Sequence, residues 1–170
     1  LEKYTYGGDA IGRLPDPLTG TGGRAVFVPF GLVGERVRVR LTEEKKNFAR
    51  GEIVEMLEAS PDRMVPTCKH FGACGGCHYQ NLPYEKQLEA KTDILRDQLT
   101  RIGKVENPPV GRMVACPNPW MYRNHVQFSL DEQGGLGFQA PNSNRVVPVS
   151  ECHLPEPSIN DFWRQVAFEP

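Results

Sequence analysis

The sequence lacks the features of a membrane or secreted protein. No window approaches the roughly 20 apolar residues that a membrane-spanning helix requires, and the N-terminus lacks the charged and then apolar pattern of a secretory signal. We therefore expect a cytoplasmic protein with no membrane partner. A strong excess of basic charge is also missing, because the formal net charge is −1 over 170 residues. This balance excludes a uniformly basic nucleic-acid-binding protein, so any basic surface must be local.

Cysteine is scarce, but it is clustered. Three of the five cysteines, Cys68, Cys74 and Cys77, lie within ten residues and are interrupted by glycines. Because the count is odd and disulfides are rare in a reducing compartment, we interpret the cluster as a metal site. The spacing C-x5-C-x2-C differs from the paired C-x2-C knuckles of structural zinc sites. Three ligands from one loop suit an iron–sulfur cluster, whose iron atoms lie at the corners of a cube.

The residues alone leave the identity of the metal and the fourth ligand open. For a 4Fe-4S cluster, the candidates for the fourth ligand are Cys116 and Cys152, and the spacing does not choose between them. The alternative is zinc bound by the three clustered cysteines together with Cys152, His70 or His78. Three free thiols with no metal are the remaining interpretation.

Residues 1–58 are typical of a small all-β unit, because short β-branched runs at 25–28, 35–42 and 51–57 alternate with glycine-rich turns. Several short strands of this kind predict a barrel. In the run 35–42 the alternation is strict, so the valines and the leucine face one side of the strand. Three guanidinium groups, those of Arg36, Arg38 and Arg40, then point to the other side.

The remainder of the chain predicts one long helix and a second β-rich module. Apolar residues recur near one face from 83 to 102, with Pro83 suited to the first turn and Gly103 to the end. Beyond the helix, strand-like runs occupy 122–130, 136–139 and 145–149, with Gly134-Gly135 as a hairpin turn. The predicted fold class is α+β, mostly β with one long helix.

Several short motifs occur in a specific order along nearly the whole chain: Val26-Phe-Val-Pro29, Ser60-Pro-Asp-Arg63, Cys68 to Gln80, Tyr122-Arg-Asn124 and Ser150-Glu-Cys152. In this order and spacing, the chain resembles the N-terminal part of the S-adenosylmethionine-dependent RNA uracil-5-methyltransferases that carry an iron–sulfur cluster. Two positions depart from the family pattern. His125 replaces a common lysine and Tyr79 a common leucine, which affects the details of RNA contact rather than the cluster.

The resemblance implies a domain organisation and a ligand set. Residues 1–58 would form an OB-like TRAM β-barrel that binds RNA, 59–82 an iron–sulfur loop, 83–103 the long helix, and 104–170 the β-rich part of the iron–sulfur domain. The 4Fe-4S cluster would then be held by Cys68, Cys74, Cys77 and Cys152. Cys116 has no counterpart in the family, and we expect it to be a buried structural thiol.

The resemblance also implies what residues 1–170 lack. In the family the catalytic domain lies C-terminal to this region and binds S-adenosylmethionine, so we expect this chain to be inactive alone. The alternative is a non-catalytic RNA-binding metalloprotein with a zinc or 4Fe-4S site. A second alternative is a radical methylthiotransferase, which also pairs a TRAM domain with a cluster, but the absence of its C-x3-C-x2-C signature disfavours it.

Two interaction surfaces follow from the resemblance. RNA, either ribosomal or transfer RNA, would be bound by a cationic face of the barrel, for which the predicted residues are Arg36, Arg38, Arg40, Lys45, Lys46 and Arg50. In the family the helix corresponding to 83–103 packs against the catalytic domain. We therefore expect that its uncovered apolar stripe could drive self-association of this truncated chain.

Overall fold

The computed structural model describes residues 1–15 and 22–166, and the chain divides into two compact units. One unit combines Leu1–Val65 with Asn81–Val114, and the other combines Pro66–Gln80 with Ala115–Pro170. The long helix therefore belongs to the same unit as the N-terminal sheet, and the cysteine loop belongs to the unit formed by the C-terminal part of the chain. The boundaries predicted at 58, 82 and 103 remain predictions about domains.

The first unit contains a five-stranded sheet with the order β1-β2-β3-β5-β4. The pairing of β3 with β5 is parallel and the other pairings are antiparallel. The N-terminal residue is fastened to the turn before β4, because the Gly34 N–H donates to the Leu1 carbonyl over 2.9 Å. This link connects the chain just before β1 to the chain just before β4, the two outer strands of the sheet. The strands are β1 (Lys3–Tyr4), β2 (Ala10–Arg13), β3 (Ala25–Val28), β4 (Arg36–Glu44) and β5 (Phe48–Glu58).

The core of this sheet follows from the alternation along its strands. Val26, Val28 and Ala49 are buried, and partly buried apolar residues that include Val39 and Leu41 pack against them. Along β4 exposed and half-buried residues alternate without interruption, which confirms the predicted two-sided strand. The strand predicted at 25–28 is confirmed, whereas β1 and β2 were not predicted because their runs are too short to show a pattern.

A buried ion pair fastens the segment after β5 to the turn before β4. The Glu35 carboxylate is 1% exposed and accepts hydrogen bonds from the Leu32 N–H (2.8 Å) and from Nη2 of Arg63 (2.8 Å). Nη2 of Arg63 also donates to the Phe30 carbonyl over 2.8 Å. Burial raises the pKa of Glu35, but the hydrogen bonds from Arg63, Leu32 and Ser60 outweigh that effect and hold the pKa below its ordinary value.

The long helix is confirmed. It runs as α1 (Tyr84–Asp97) and continues as a π-helical turn over Gln98–Ile102, after which Gly103 ends it. Its buried contact is small, since Ala90 is its buried residue while Leu95 and Ile102 remain exposed. Self-association through this helix therefore stays a prediction. Among residues 1–15 and 22–166, no helix has both the length and the apolar character needed to cross a membrane.

The second unit contains a three-stranded antiparallel sheet with the order β6-β7-β8, built from β6 (Ser129–Leu130), β7 (Leu136–Gln139) and β8 (Val146–Pro148). The predicted hairpin turn is confirmed. The Asp131 carboxylate accepts hydrogen bonds from the N–H groups of Gln133 (2.9 Å) and Gly135 (2.6 Å), and Gly134 has a positive φ of 80°. Glycine is suited to this position because side chains disfavour that backbone conformation.

The predicted strand at 122–130 is wrong over most of its length. Only its last two residues pair in β6, and near its start the backbone of Arg123 bonds instead to the segment that follows the last cysteine. The Arg123 N–H donates to the Leu154 carbonyl, and the Glu156 N–H donates to the Arg123 carbonyl, each over 2.9 Å. A short helix α2 (Pro157–Trp163) follows and was not predicted, so the described chain is sheet-rich with two helices.

Candidate metal centre

The cysteine loop is folded tightly by its own backbone. The N–H groups of Ala73 and Cys74 both donate to the His70 carbonyl, over 3.1 and 2.8 Å. Gly75 then donates to the Gln139 carbonyl at the end of β7 over 2.9 Å. A Cβ atom at position 75 would lie 2.8 Å from that carbonyl oxygen, so only glycine allows the loop to approach the strand so closely. The glycines therefore bring the loop against the three-stranded sheet.

The four cysteines assigned by the resemblance line one cavity in the second unit, and all of them are free thiols. Two contacts bring Cys152 to the loop although it is distant in sequence. The Lys69 N–H donates to the Glu151 carboxylate over 3.1 Å, and the Ser150 N–H donates to Nε2 of His70 over 3.2 Å. Phe71, Phe138, Val149 and Leu154 are among the apolar residues that also line the cavity.

Two of the four sulfur atoms accept a hydrogen bond from an N–H group. The Gln80 side chain donates to Cys77 Sγ over 3.2 Å, and the Gly76 N–H donates to Cys74 Sγ over 3.4 Å. Donors directed at sulfur stabilise thiolates, which are the form of cysteine that binds metal. The donor set therefore fits a group that is held by four thiolates.

Electrostatics explains why such a site calls for a positively charged occupant. Burial raises the pKa of Cys74, Cys77 and Cys152, and the neighbouring thiols raise each of these pKa values further. The Arg123 guanidinium acts in the opposite direction on Cys74 and Cys152. Four thiolates crowded together repel one another, so metal binding here must release protons and supply compensating positive charge.

The histidines proposed for a zinc site have different surroundings. His70 lines the cavity, but its Nε2 already accepts the hydrogen bond from Ser150. His78 lies outside the set of described residues that line the cavity. The structure instead brings together Cys68, Glu151 and His153, whose ligand atoms all lie within 4.8 Å of one another. The sequence analysis missed this group, although Glu151 and His153 directly flank a predicted ligand.

The prediction made for Cys116 is wrong. It was expected to be a buried structural thiol, but it is exposed and its S–H donates to the Asn118 carbonyl over 3.1 Å. It belongs to a proline-rich stretch without regular secondary structure, where little chain is available to cover it. Cys116 also lies outside the set of described residues that line the thiol cavity.

The basic residues predicted to bind RNA lie on the exposed face of the first sheet, but most of them form ion pairs. The three arginines of β4 face glutamates of β5, and we call this set the Arg–Glu ladder: Arg36 with Glu58, Arg38 with Glu55, and Arg40 with Glu52. Arg50 contacts Asp9 and Glu43, and Lys45 contacts Glu43. The register of β4 against β5 therefore largely neutralises the predicted cationic face.

Comparison with known sequences gives two kinds of match. Residues 1–54 match the family model of the TRAM domain. An uncharacterized RNA methyltransferase of Halalkalibacterium halodurans is 34% identical over 169 residues, which cover 98% of this chain and 35% of the relative. One of Aquifex aeolicus is 37% identical over 162 residues, which cover 95% of this chain and 36% of the relative. The chain thus spans about a third of the length of these relatives.

Solved structures also include matches in fold. One of them is the tRNA (uracil-54, C5)-methyltransferase of Pyrococcus abyssi in complex with S-adenosyl-L-homocysteine, which is 23% identical with a TM-score of 0.55. The match covers 92% of this chain and 35% of that one. At this level of identity the likeness shows the fold alone.

Proposed function

We propose, from the TRAM domain and the homology of this chain to RNA methyltransferases, that it forms the RNA-binding and iron–sulfur portion of an RNA (uracil-5-)-methyltransferase. The full protein would transfer a methyl group from S-adenosylmethionine to C5 of a uridine in ribosomal or transfer RNA. The site for S-adenosylmethionine would lie in the part of the relatives that this chain does not span. The observation that carries the proposal is that four thiols line one cavity in a chain that also contains a TRAM domain.

The part of this chain in the reaction would be to bind and orient the RNA. Methyl transfer to C5 requires a nucleophile to add to the uracil ring and the target base to leave its stack. The sheet of the first unit would hold the RNA near the flipped base through phosphate contacts and stacking. A bound 4Fe-4S cluster would supply iron–thiolate bonds that cross-link the cysteine loop to Cys152 and stabilise the second unit.

A zinc site is the second candidate, and it would fit the alternative of a non-catalytic RNA-binding metalloprotein. The group formed by Cys68, Glu151 and His153 favours it, since zinc accepts sulfur, nitrogen and oxygen ligands. Against it, the Glu151 carboxylate already accepts the hydrogen bond from the Lys69 N–H. The N–H donors that point at Cys74 and Cys77 favour the four-thiolate set.

The Gln80→Glu substitution tests whether the four thiols ligate the cluster. Gln80 is buried, accepts from the Cys68 N–H over 3.0 Å and donates to Cys77 Sγ, so it bridges two predicted ligands. Glutamate keeps the acceptor, removes the donor to sulfur and adds negative charge. We expect the midpoint potential of the reconstituted cluster to fall by an amount on the order of tens of millivolts, measured by spectroelectrochemistry.

The matched control for this experiment is Gln133→Glu, which adds the same charge in the exposed turn between β6 and β7. Its midpoint potential should stay close to that of the unmodified protein. If the midpoint potential of Gln80→Glu also equals that of the unmodified protein, the proposal that Cys77 is a ligand of the cluster is refuted.

The predicted RNA contacts are tested by neutralising the ladder. We expect the Arg38→Gln/Arg40→Gln protein to bind structured RNA more weakly. In a plot of the logarithm of the binding constant against the logarithm of the salt concentration, the slope should be flatter by about 0.7 to 0.9 for each phosphate that the protein no longer neutralises. Glutamine is used because a negative residue would face Glu55 or Glu52. Fluorescence anisotropy at several salt concentrations gives both quantities.

The reciprocal variant is Glu52→Gln/Glu55→Gln, which releases Arg40 and Arg38 from their ion pairs and should tighten binding. Arg96→Gln, which removes an exposed cation of α1, is the control. If both ladder variants bind RNA as the unmodified protein does, the arginines of the ladder are not RNA contacts.

A further inference from the structure

Two phenylalanines of the first sheet point away from its core. Phe27 lies between the buried residues Val26 and Val28 on β3, and Phe48 directly precedes the buried Ala49 on β5. Because successive side chains on a strand alternate between faces, both rings belong to the outer face of the sheet. Their centroids are 5.7 Å apart and the rings are nearly perpendicular at 84°.

Arg50 joins this pair on the same face. The parallel register of β3 and β5 sets Phe27 opposite Arg50, and the guanidinium carbon lies 5.5 Å from the centroid of the Phe27 ring. Asp9 accepts a hydrogen bond from Nη1 of Arg50 over 3.0 Å, and Glu43 lies 3.5 Å from its Nε. Two carboxylates therefore orient the guanidinium plane, although Arg50 remains partly exposed. We call Phe27, Phe48 and Arg50 the aromatic platform.

Further basic residues surround the platform. The turn between β4 and β5 carries Lys45 and Lys46, and it is fastened to the platform because the Lys45 N–H donates to the Phe48 carbonyl over 2.9 Å. Arg24 donates to the Lys45 carbonyl over 3.0 Å, and Arg13 lies on the outer side of β2. Several cations therefore lie next to two partly exposed aromatic rings. Cations of this kind can contact the phosphates of RNA, and the rings can stack with its unpaired bases.

The charge balance separates this region from the Arg–Glu ladder. In the ladder each arginine has its own glutamate, so the stripe carries no net charge. Among the described residues around the platform there are five cations and three carboxylates, which leaves a local positive excess. The cations are Arg13, Arg24, Lys45, Lys46 and Arg50, and the carboxylates are Asp9, Glu43 and Glu44.

We propose that the aromatic platform is a stacking site for unpaired bases of RNA, with the flanking lysines and arginines on the phosphates. The inference rests on the proposed function in one respect, namely that the TRAM domain binds RNA. Rings and guanidinium planes stack with any base, so the site selects single-stranded segments rather than a sequence. It therefore assigns the recognition of unpaired bases to the platform, while the ladder arginines stay the proposed phosphate contacts.

The test compares Phe27→Leu/Phe48→Leu with the unmodified 170-residue chain in binding to short oligouridylate and to an RNA duplex of the same length. Leucine keeps an apolar side chain but removes the ring. We expect about a tenfold loss of affinity for the single strand and little change for the duplex. Phe162→Leu is the matched control, since Phe162 is 70% exposed in the second unit, and it should change neither affinity.

The Phe27→Trp variant reports on stacking directly through the fluorescence of the new tryptophan. Because it keeps an aromatic ring at this position, it also provides a test if the leucine variant folds poorly. Oligouridylate should quench the fluorescence of the added tryptophan relative to the unmodified protein. If the unmodified chain binds neither RNA, the proposed RNA-binding function fails. If it binds both but the leucine variant binds equally well, or the tryptophan signal does not change, the platform is refuted and the proposed function stands.

Discussion

Replacing Cys152 with alanine is expected to remove at least one iron from a cluster of about four per chain after anaerobic reconstitution. The physical reason is that the substitution removes one of four thiols lining a single cavity and leaves nothing in its place that donates sulfur. The characteristic cluster absorbance should fall with the iron and sulfide content. The same loss is expected when Cys74 or Cys77 is replaced.

The fifth cysteine provides a matched control for this prediction. Cys116 is exposed and its S–H is hydrogen-bonded to the nearby Asn118 carbonyl. Because it is not one of the proposed ligands, the Cys116→Ala protein should retain the full iron and sulfide content. The experiment distinguishes the two candidates that the spacing of the cysteines leaves open. Full iron content in Cys152→Ala, or loss of the cluster in Cys116→Ala, would refute the four-cysteine assignment.

Replacing Glu35 with glutamine is expected to lower the free energy of unfolding by about 3 kcal/mol, the low end of the cost of breaking a buried ion pair, because the Arg63 cation is partly buried and loses its counter-charge. The side chain of Glu35 is fully buried, and that of Arg63 is 27% exposed. Urea unfolding at neutral pH measures the change. The control is Glu52→Gln, which removes an exposed partner of the ladder and should cost less than about 1 kcal/mol.

The pH dependence of stability gives an independent test of the same pair. Because the pKa of Glu35 is lower in the folded protein, the pair stabilises the fold fully above the ordinary glutamate pKa. That contribution is lost as pH falls below about 4 and through the folded-state pKa. The Glu35→Gln protein should lack this part of the acid-induced loss. If its stability falls as steeply with acid as that of the unmodified protein, Glu35 does not carry the effect.

The elements whose sequence shows a repeated hydrophobic pattern were predicted correctly. The alternation in β4 predicted a two-sided strand, and the apolar spacing between Pro83 and Gly103 predicted the helix, because each pattern is repeated over several residues. Helix α2 was not predicted, because seven residues give too few repeats for a periodic hydrophobic signal. The segment 122–128 has the composition of a strand, but the backbone of Arg123 hydrogen-bonds to Leu154 and Glu156, which are distant in sequence.

The sites depend on register and tertiary contacts, which a sequence pattern does not contain. The predicted basic face is exposed, but nothing in the local sequence showed that Arg36, Arg38 and Arg40 would face glutamates of β5. Cys152 meets the other cysteines through the contacts of Glu151 and Ser150, and the spacing alone did not distinguish it from Cys116. The resemblance to a known family made that choice, and the structure brings the same four thiols to one cavity.

The most direct measurement is the metal and sulfide content of this chain purified without oxygen. The four-thiolate interpretation predicts about four iron atoms and four acid-labile sulfides per chain, with no bound zinc. One zinc per chain without sulfide would contradict it and would favour the mixed site of Cys68, Glu151 and His153.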